Sequence, residues 1–325
     1  MSRAKGAAQT RPLRGQVAVV AGATRGAGRG IARGLGEAGA TVYCTGRSTR
    51  GSPSAYGRPE TIEDTAEMVT ALGGVGIPVR VDHAEESQVR KLFARVAREQ
   101  GRLDVLVNSL AGEDPTFKPR SLAKLDADEG VALMRQAVFT HLRAAQHAAA
   151  LMTRSKRGLI VEVTEADTFT GGVSILHHLV KVSLKHLANL LAEELRKQRV
   201  TVVAVTPGFL RSEAMLDYFK VTAETWRQGG KKDKHFLESE TPLFLGRGVA
   251  ALAADPKVFD RTGDLTSSWE LGARYGVDDE DGRRPDWGTY VAKIMPTLGP
   301  YGAGFAREAA WLERIASRAR RYAGG

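Results

Sequence analysis

The chain has 325 residues, of which 42% are hydrophobic and 26% charged, and this length suits one large α/β domain but not two full domains. Lys and Arg exceed Asp and Glu by 47 to 37, which favours anionic partners such as nucleotides, but the basic residues crowd the chain ends as solvated tails and predict no nucleic-acid partner. The single cysteine, Cys44, excludes an intrachain disulfide, and no apolar run is as long as a membrane span. We therefore expect a cytoplasmic protein with no membrane partner.

Short apolar runs rich in β-branched residues alternate along the chain with longer segments whose apolar residues recur three and four apart. The predicted strands are Val17–Ala21, Thr41–Thr45, Ile77–Val81, Val105–Asn108, Leu159–Val163 and Val200–Thr206, with a seventh near Asp264–Ser267. The predicted helices are Arg29–Ala38, Thr61–Leu72, Glu86–Glu99, Val131–Met152 and His177–Lys197. This alternation predicts the α/β class, as a single Rossmann-type, doubly wound parallel sheet of about seven strands with helices on both faces.

The pattern also divides the chain. Residues 1–14 are predicted to form a basic flexible tail, 15–290 a Rossmann domain and 291–325 a helical extension. Within the domain the regular pattern weakens over residues 209–241, and a segment of this kind after a strand end predicts a lid over the site. The alternative is a solvated surface excursion. The aromatic residues of this segment form either an apolar pocket wall or part of the core, and they are Phe209, Trp226 and Phe236.

The first predicted strand leads directly into a glycine-rich loop and then into an apolar helix. Glycine lets the backbone turn tightly, and it lets a pyrophosphate approach the helix N-terminus, whose free N–H groups and dipole favour an anion. A flexible turn is the alternative, but the strand, loop and helix in this order predict dinucleotide binding. The predicted contacts in the loop are Gly22, Thr24, Arg25, Gly26, Ala27 and Gly28.

The Gly-x-x-x-Gly-x-Gly spacing of this loop resembles that of the short-chain dehydrogenase/reductase family. Other segments resemble that family in the same order along the chain. Asp82 matches its adenine-contacting acid, and Asn108 matches the first residue of its Asn-Asn-Ala-Gly segment. Pro207, Gly208 and Ser212 match its Pro-Gly-x-x-x-Thr segment, which lies along the nicotinamide and pyrophosphate. The resemblance implies that these five residues contact the cofactor.

The closing part of the domain, including residues 271–277 and 281–283, resembles the branch of the family that contains dehydrogenase/reductase member 1. The resemblance spans about residues 15–290. Family members commonly pair two long helices across a two-fold axis, so it also implies a homodimer or homotetramer built on Val131–Met152 and His177–Lys197.

The end of the second predicted strand bears on the choice between NAD and NADP. NAD-binding members place an acid there to hold the ribose diol, whereas this chain has Gly46, followed by Arg47 and Ser48. Arg47 and Arg25 of the glycine loop are predicted to converge on a 2′-phosphate through charge-assisted hydrogen bonds. We therefore predict NADP as the cofactor, although each arginine alone is also compatible with an exposed surface cation.

The family's carbonyl chemistry uses a Ser, a Tyr and a Lys, with an Asn on the preceding helix, and this chain keeps one of the four. Thr164 is predicted to stand at the Ser position, Lys181 is kept, and the Asn position falls near Ala137. His177 replaces the Tyr, four residues before Lys181 and so on the same helix face. The resemblance implies that His177 or a water donates the proton, Thr164 orients the substrate and Lys181 contacts the nicotinamide ribose.

Three functions therefore remain open from the sequence. The first is an NADP(H)-dependent oxidoreductase that reduces a carbonyl or imine of an unknown small-molecule substrate. The second is an NADP-binding protein without redox activity, as a sensor or partner subunit, and the third is a proton-transfer enzyme with a structural cofactor. Lys181 and the full set of nucleotide contacts favour the first. No residues have metal-ligand spacing, since His177 and its neighbour His178 point in different directions on a helix, so we expect no metal.

Overall fold

The computed structural model describes residues 11–110, 121–165, 174–294 and 297. They contain a parallel seven-stranded sheet. The strands are β1 (Val17–Ala21), β2 (Thr41–Gly46), β3 (Val75–Arg80), β4 (Val105–Asn108), β5 (Gly158–Val163), β6 (Val200–Thr206) and β7 (Leu265–Ser267). Their order in the sheet is β3-β2-β1-β4-β5-β6-β7, and each strand pairs in parallel with its neighbours. The predicted fold class is confirmed.

Helices connect and cover the strands. They are α1 (Gly26–Glu37), α2 (Ile62–Ala71), α3 (Glu86–Gln100), α4 (Ala127–Met134), α5 (Thr140–Ser155), α6 (Ile175–Leu195), α7 (Glu213–Phe219), α8 (Pro242–Ala254), α9 (Ser268–Tyr275) and α10 (Trp287–Ile294). Shorter helical turns span Leu122–Lys124, Arg196–Gln198, Trp226–Lys231, Lys234–Glu238 and Val258–Arg261. No helix in the described part of the chain has the length and apolar content that crossing a membrane requires.

Burial along the strands follows their place in the sheet. The central strands β1, β4 and β6 are buried at every residue, as expected where helices cover both faces of a parallel sheet. The edge strand β3 is half exposed and contains Pro78, which an edge tolerates because proline lacks the N–H that a central strand must donate. One apolar core lies between the sheet and α1, α2 and α8, and a second lies between the opposite face and α3, α5 and α6.

One predicted helix differs from the structure in a way that concerns the site. The single helix predicted over Val131–Met152 is instead α4, a π-helical turn at Arg135–Phe139, and α5. Apolar periodicity does not reveal a π turn, because one added residue leaves the spacing on either side unchanged. Ala137, near which the family's Asn was expected, is fully buried within that turn.

The predicted domain boundaries fare differently at the two ends. The flexible tail was placed at 1–14, but Leu13 is fully buried in the core and its N–H donates to Ala38 O at 2.9 Å. The folded part therefore begins by residue 13, and the tail prediction is wrong for its last residues. Most of the predicted extension, 291–325, lies outside the described residues.

Candidate active site

The sheet has a topological switch between β1 and β4. The chain runs outward from β1 to β3 and then returns to place β4 on the other side of β1. Ligands of such sheets bind outside the carboxyl ends of the strands at this switch. Ala21, Asn108 and Glu162 lie side by side in register near those ends, so the loops that follow β1, β4 and β5 meet at one edge.

The glycine loop follows β1 at this edge. Gly22 has φ +86°, and a Cβ added to it would lie 2.3 Å from Ser109 O, so the loop is closed tightly against the end of β4. A Cβ on Gly28 would lie 2.0 Å from Gly22 O, which fixes the start of α1 against the same turn. A Cβ on Gly26 would meet nothing closer than the Ser212 Cβ at 3.8 Å, so this glycine faces open space. The loop therefore has the tight turn and the open approach that a pyrophosphate requires.

The first turn of α1, which includes Ala27, already holds an anionic group. The Gly26 N–H donates to Glu213 Oε2 at 2.8 Å, and Arg29 Nη1 lies 3.4 Å from Glu213 Oε1. These donors therefore bind a carboxylate from α7, as a helix N-terminus binds phosphate. The donor set fits a nicotinamide dinucleotide. Sequence reasoning missed Glu213, which is close to the loop only in three dimensions.

The end of β2 is crowded by the Thr24 side chain. A Cβ on Gly46 would lie 2.5 Å from Thr24 Oγ1, so the acidic residue that holds a ribose diol in NAD-binding proteins would require the Thr24 side chain to move. Arg25 Nε lies 3.2 Å from Glu60 Oε2, and Arg58 also forms an ion pair with Glu60. Burial raises the pKa of Glu60, but Arg58 and Arg25 lower it by more than burial raises it, so the net shift of the pKa is downward. Sequence reasoning missed both Glu60 and Arg58.

Arg47, the second predicted phosphate ligand, is exposed and forms no ion pair with another described residue. Ser48 is buried, and its carbonyl accepts the Ile62 N–H at 3.1 Å at the start of α2. Convergence of Arg25 and Arg47 stays a prediction, because the contact seen at Arg25 is with Glu60.

Two more predicted cofactor contacts use their polar atoms within the protein. One oxygen of Asp82 accepts the Ala84 N–H at 2.9 Å. The Asn108 amide donates to Glu162 Oε1 at 2.8 Å and to His141 O at 3.2 Å, and Glu162 Oε2 lies 2.5 Å from His141 Nδ1. Asn108, Glu162 and His141 are all fully buried, so this polar cluster braces the floor of the site.

The segment after β6 has a buried acidic support. Pro207 follows the last residue of β6 and accepts the Thr206 hydroxyl at its carbonyl. A Cβ on Gly208 would lie 2.9 Å from Glu240 Oε2, and burial raises the pKa of Glu240 to about 8. Ser212 caps α7 by accepting the Met215 N–H at 3.4 Å. The predicted cofactor segment therefore leads into α7 without a break.

Two of the three residues predicted for catalysis, His177 and Lys181, meet at one carboxylate. Lys181 Nζ lies 3.0 Å from Glu165 Oε1, and His177 Nε2 lies 3.4 Å from Glu165 Oε2. Burial raises the pKa of Glu165, but the hydrogen bond with His177 and the charge of Lys181 outweigh it and lower that pKa to about 2. Glu165 is therefore a carboxylate at neutral pH, and it joins the loop after β5 to α6.

Thr164, predicted to orient the substrate, has a different contact. It is 1% exposed, and its hydroxyl donates to the main-chain oxygen of Lys181 at 3.3 Å. Its predicted role in orienting the substrate stays a prediction, and Glu165 is the residue that faces the Lys181 ammonium. Sequence reasoning missed Glu165, and the available signal was a charged residue two positions past the end of a buried strand.

Comparison with known proteins identifies the family. Residues 16–221, more than half of the chain, match the family model described as short chain dehydrogenase. The chain belongs to the short-chain dehydrogenase family. Its members are oxidoreductases that use nicotinamide cofactors and act on small molecules.

Two mammalian short-chain dehydrogenases are similar over most of the chain. Dehydrogenase/reductase SDR family member 1 of Mus musculus is 36% identical over 312 residues, which cover 93% of this chain and 96% of that protein. The Homo sapiens protein of the same name is 35% identical over 277 residues, which cover 84% and 85%. The predicted family and branch are confirmed.

Solved structures share the fold. A short chain dehydrogenase from Mycobacterium thermoresistibile has a TM-score of 0.69 at 18% identity and covers 85% of this chain and 92% of its own. YwfH, described as an NADPH dependent reductase involved in bacilysin biosynthesis, has a TM-score of 0.64 at 19% identity and covers 78% and 96%. At these identities the likeness shows the short-chain dehydrogenase fold alone.

The segment 209–241 has its own small core in this short-chain dehydrogenase. Phe219, Trp226 and Phe236 are buried together, and the rings of Phe219 and Phe236 stack with centroids 4.0 Å apart. The Arg211 guanidinium lies 3.8 Å above Trp226. The alternative of a solvated excursion is wrong, and Trp226 and Phe236 are core residues. A lid role for the segment stays a prediction.

Within the described residues, no three His, Cys, Asp or Glu side chains are grouped so that they could hold a metal ion.

Proposed function

We propose that this protein is an NADP(H)-dependent oxidoreductase that reduces a carbonyl or imine group of a small molecule. The observation that carries the proposal is the contact of Lys181 and His177 with the Glu165 carboxylate, at the sheet edge that also holds the glycine loop. When bound, NADPH supplies the hydride. The remaining work falls to the protein, which must bind the cofactor, place the substrate and supply a proton where the substrate needs one.

The pyrophosphate would be held at the first turn of α1. The Gly26 N–H and the Arg29 guanidinium now contact Glu213, and both are suited to phosphate oxygens. Lys181 is the residue expected to contact the nicotinamide ribose, and Glu165 fixes its ammonium in place. Binding of the dinucleotide therefore requires that Glu213 give up its contact with Gly26.

Two features support NADP over NAD. Gly46 stands where an acid would hold the ribose diol, and the Thr24 hydroxyl crowds that position. Three guanidinium groups also lie near the end of β2 or beside Glu60, namely Arg25, Arg47 and Arg58, and they outnumber the two carboxylates paired with them, Glu60 and Asp217. The excess positive charge would attract a 2′-phosphate.

Reduction of a carbonyl also needs a proton on the substrate oxygen. His177 is the proposed donor, because it takes the place of the family tyrosine and lies near Lys181 on one helix face.

The same pair favours one alternative, a proton-transfer enzyme in which the nucleotide has a structural role. A carboxylate and an imidazole 3.4 Å apart can exchange a proton with a substrate without any hydride transfer. Consumption of NADPH during turnover distinguishes the two functions.

The test has two stages. Purified protein is titrated with NADPH and NADH, and the proposal expects NADPH to bind at least about tenfold more tightly, a difference of about 1.4 kcal/mol. Arg47→Asp is expected to reverse that preference. Carbonyl and imine substrates are then screened for loss of NADPH absorbance. Equal affinities would contradict the NADP assignment, and binding without NADPH consumption on any substrate would favour the redox-silent alternatives.

The proposed partner is a second copy of the chain. Helix α6 exposes a row of apolar residues at helical spacing, and α5 with the adjoining π turn exposes two more: Ile175, Leu179, Val182, Leu190, Phe139 and Leu142. Pairing of these helices in a homodimer or homotetramer would bury the row. Light scattering after size-exclusion chromatography measures the mass, and replacing Leu179 and Leu190 with Glu should yield monomers.

The buried, unpaired Cys44 suits a reducing compartment, which we propose to be the cytoplasm.

A further inference from the structure

We infer that the substrate of this site carries a positively charged C=N group, an iminium ion, and that the Glu165 carboxylate recognises that charge. The inference rests on the proposed function, because it names the substrate class of the same site. It depends on three observations. Glu165 is the most exposed charged group of the site, a carboxylate takes the place of the family's hydroxyl beside Lys181, and His177 takes the place of the family's tyrosine.

The most exposed charged group of this cluster is the Glu165 carboxylate. The Glu165 side chain is 32% exposed, whereas those of Lys181 and His177 are 10% and 11% exposed. An incoming molecule can therefore contact Glu165 more readily than the ammonium or the imidazole. A cation placed there gains an attraction that a neutral carbonyl lacks, and the partly buried setting strengthens it.

The Glu165 carboxylate stays charged over the pH range in which the protein would work. Lys181 and His177 hold its pKa at about 2 in spite of its burial. The family's hydroxyl is neutral and donates a hydrogen bond to a carbonyl oxygen. A carboxylate at this place can only accept, so it repels the oxygen of a ketone, on which negative charge develops during reduction.

An iminium ion also removes the need for the missing tyrosine. When hydride adds to the iminium carbon, a C–H bond forms and the π electron pair moves to nitrogen, which becomes a neutral amine. The cofactor is oxidised by two electrons, and no proton is required. Ketone reduction by the same hydride needs a proton on oxygen, and the residue at the tyrosine position, His177, is bound to Glu165. Glu165 is thus suited to the charged substrate.

The direct test compares matched substrates with the full-length protein and NADPH. N-methyl dihydroisoquinolinium is paired with tetralone, and N-methylpyrrolinium is paired with cyclopentanone, so that each pair differs mainly in charge. A permanently methylated iminium carries its charge without a proton. The inference predicts a kcat/KM at least about tenfold higher for the iminium of each pair. Equal values, or faster reduction of the ketones, would overturn it.

Variants of Glu165 separate recognition from folding. Glu165→Gln keeps the size of the side chain and removes its charge, so kcat/KM for the iminium should fall about tenfold or more relative to kcat/KM for the matched ketone. Glu165→Asp should recover part of the lost rate. Glu193→Gln, at an exposed position near the other end of α6, is the matched control and should leave both values unchanged. Unchanged iminium reduction in Glu165→Gln would contradict the inference.

The outcomes also separate this inference from the proposed function. Reduction of ketones without reduction of the iminium ions overturns the inference and leaves the proposed function standing. NADPH binding without reduction of either class overturns both, and so does a failure to bind NADPH.

Discussion

The Glu165 carboxylate lies 3.0 Å from the Lys181 ammonium and thereby ties the loop after β5 to helix α6. This ion pair predicts part of the acid stability of the protein. The pKa of Glu165 lies below its ordinary value of 4.5, at about 2. A carboxyl with a lowered folded-state pKa stabilises the fold above its ordinary pKa and loses that contribution as the pH falls through its folded value. The fold should therefore lose the stabilisation from this ion pair as the pH falls from about 4.5 to about 2.

Urea denaturation across that range checks this expectation. Glu165→Gln has no titrating group at this position, so its free energy of unfolding should fall less steeply with decreasing pH than that of the parent. Parallel curves for the two proteins would mean that the ion pair does not contribute to folding.

The proposed proton donor predicts a selective loss of carbonyl reduction. His177→Phe should lower the rate of ketone reduction about a hundredfold, because no acid remains at that position, while NADPH affinity changes little. His177→Tyr should retain or raise the rate and shift its pH profile upward. Steady-state rates at several pH values provide the measurement. If His177→Phe reduces ketones as fast as the parent, a water or the substrate supplies the proton.

The open space above Gly26 predicts the effect of filling it. Gly26→Val should abolish nucleotide binding and leave the sheet folded, because the added side chain would enter the room that the pyrophosphate needs. Gly101→Val is the matched control, since Gly101 also has a positive φ and nothing within 4 Å of its added Cβ. NADPH fluorescence titration and circular dichroism measure binding and fold. Unchanged NADPH affinity in folded Gly26→Val would place the cradle elsewhere.

Weakening the contact of Glu213 with Gly26 is expected to raise the affinity for NADPH. Its carboxylate accepts the Gly26 N–H that the pyrophosphate would need, so it competes with the cofactor. Glu213→Gln should bind NADPH about two- to tenfold more tightly, because removing the charge weakens the competing contacts with Gly26 and Arg29. Glu238→Gln, an exposed change in the same segment, should leave affinity unchanged. Weaker binding in Glu213→Gln would show that Glu213 supports the cofactor instead.

Local patterns predicted the fold and the glycine loop. The strands Val17–Ala21, Val105–Asn108 and Val200–Thr206 have the predicted bounds, because buried β-branched runs between turn residues leave little choice of conformation. The glycine loop was also readable, since strand, turn and helix are contiguous in the chain. Edge strand β3 begins two residues earlier than predicted, where exposure weakens the apolar signal.

The contacts that the sequence did not predict join distant parts of the chain. Glu213 contacts Gly26 although 187 residues separate them, and Glu60 pairs with Arg25 although β2 lies between them in the chain. No periodicity encodes such ion pairs, because exposed and partnered carboxylates look alike in a sequence. The contact of Glu165 with the Lys181 ammonium was missed for a similar reason, since the strand end decides which of two neighbouring side chains faces that group.

Transfer of deuterium from deuterated NADPH to product tests hydride chemistry at the Glu165, His177 and Lys181 site most directly. The parent protein is incubated with the labelled cofactor and an iminium or ketone substrate, and the product is analysed by mass spectrometry. We predict one deuterium per product molecule, placed on the former C=N or C=O carbon, and a strong loss of labelled product in Lys181→Met. Product that forms without deuterium, or labelled product that forms as fast in Lys181→Met as in the parent, would contradict the account.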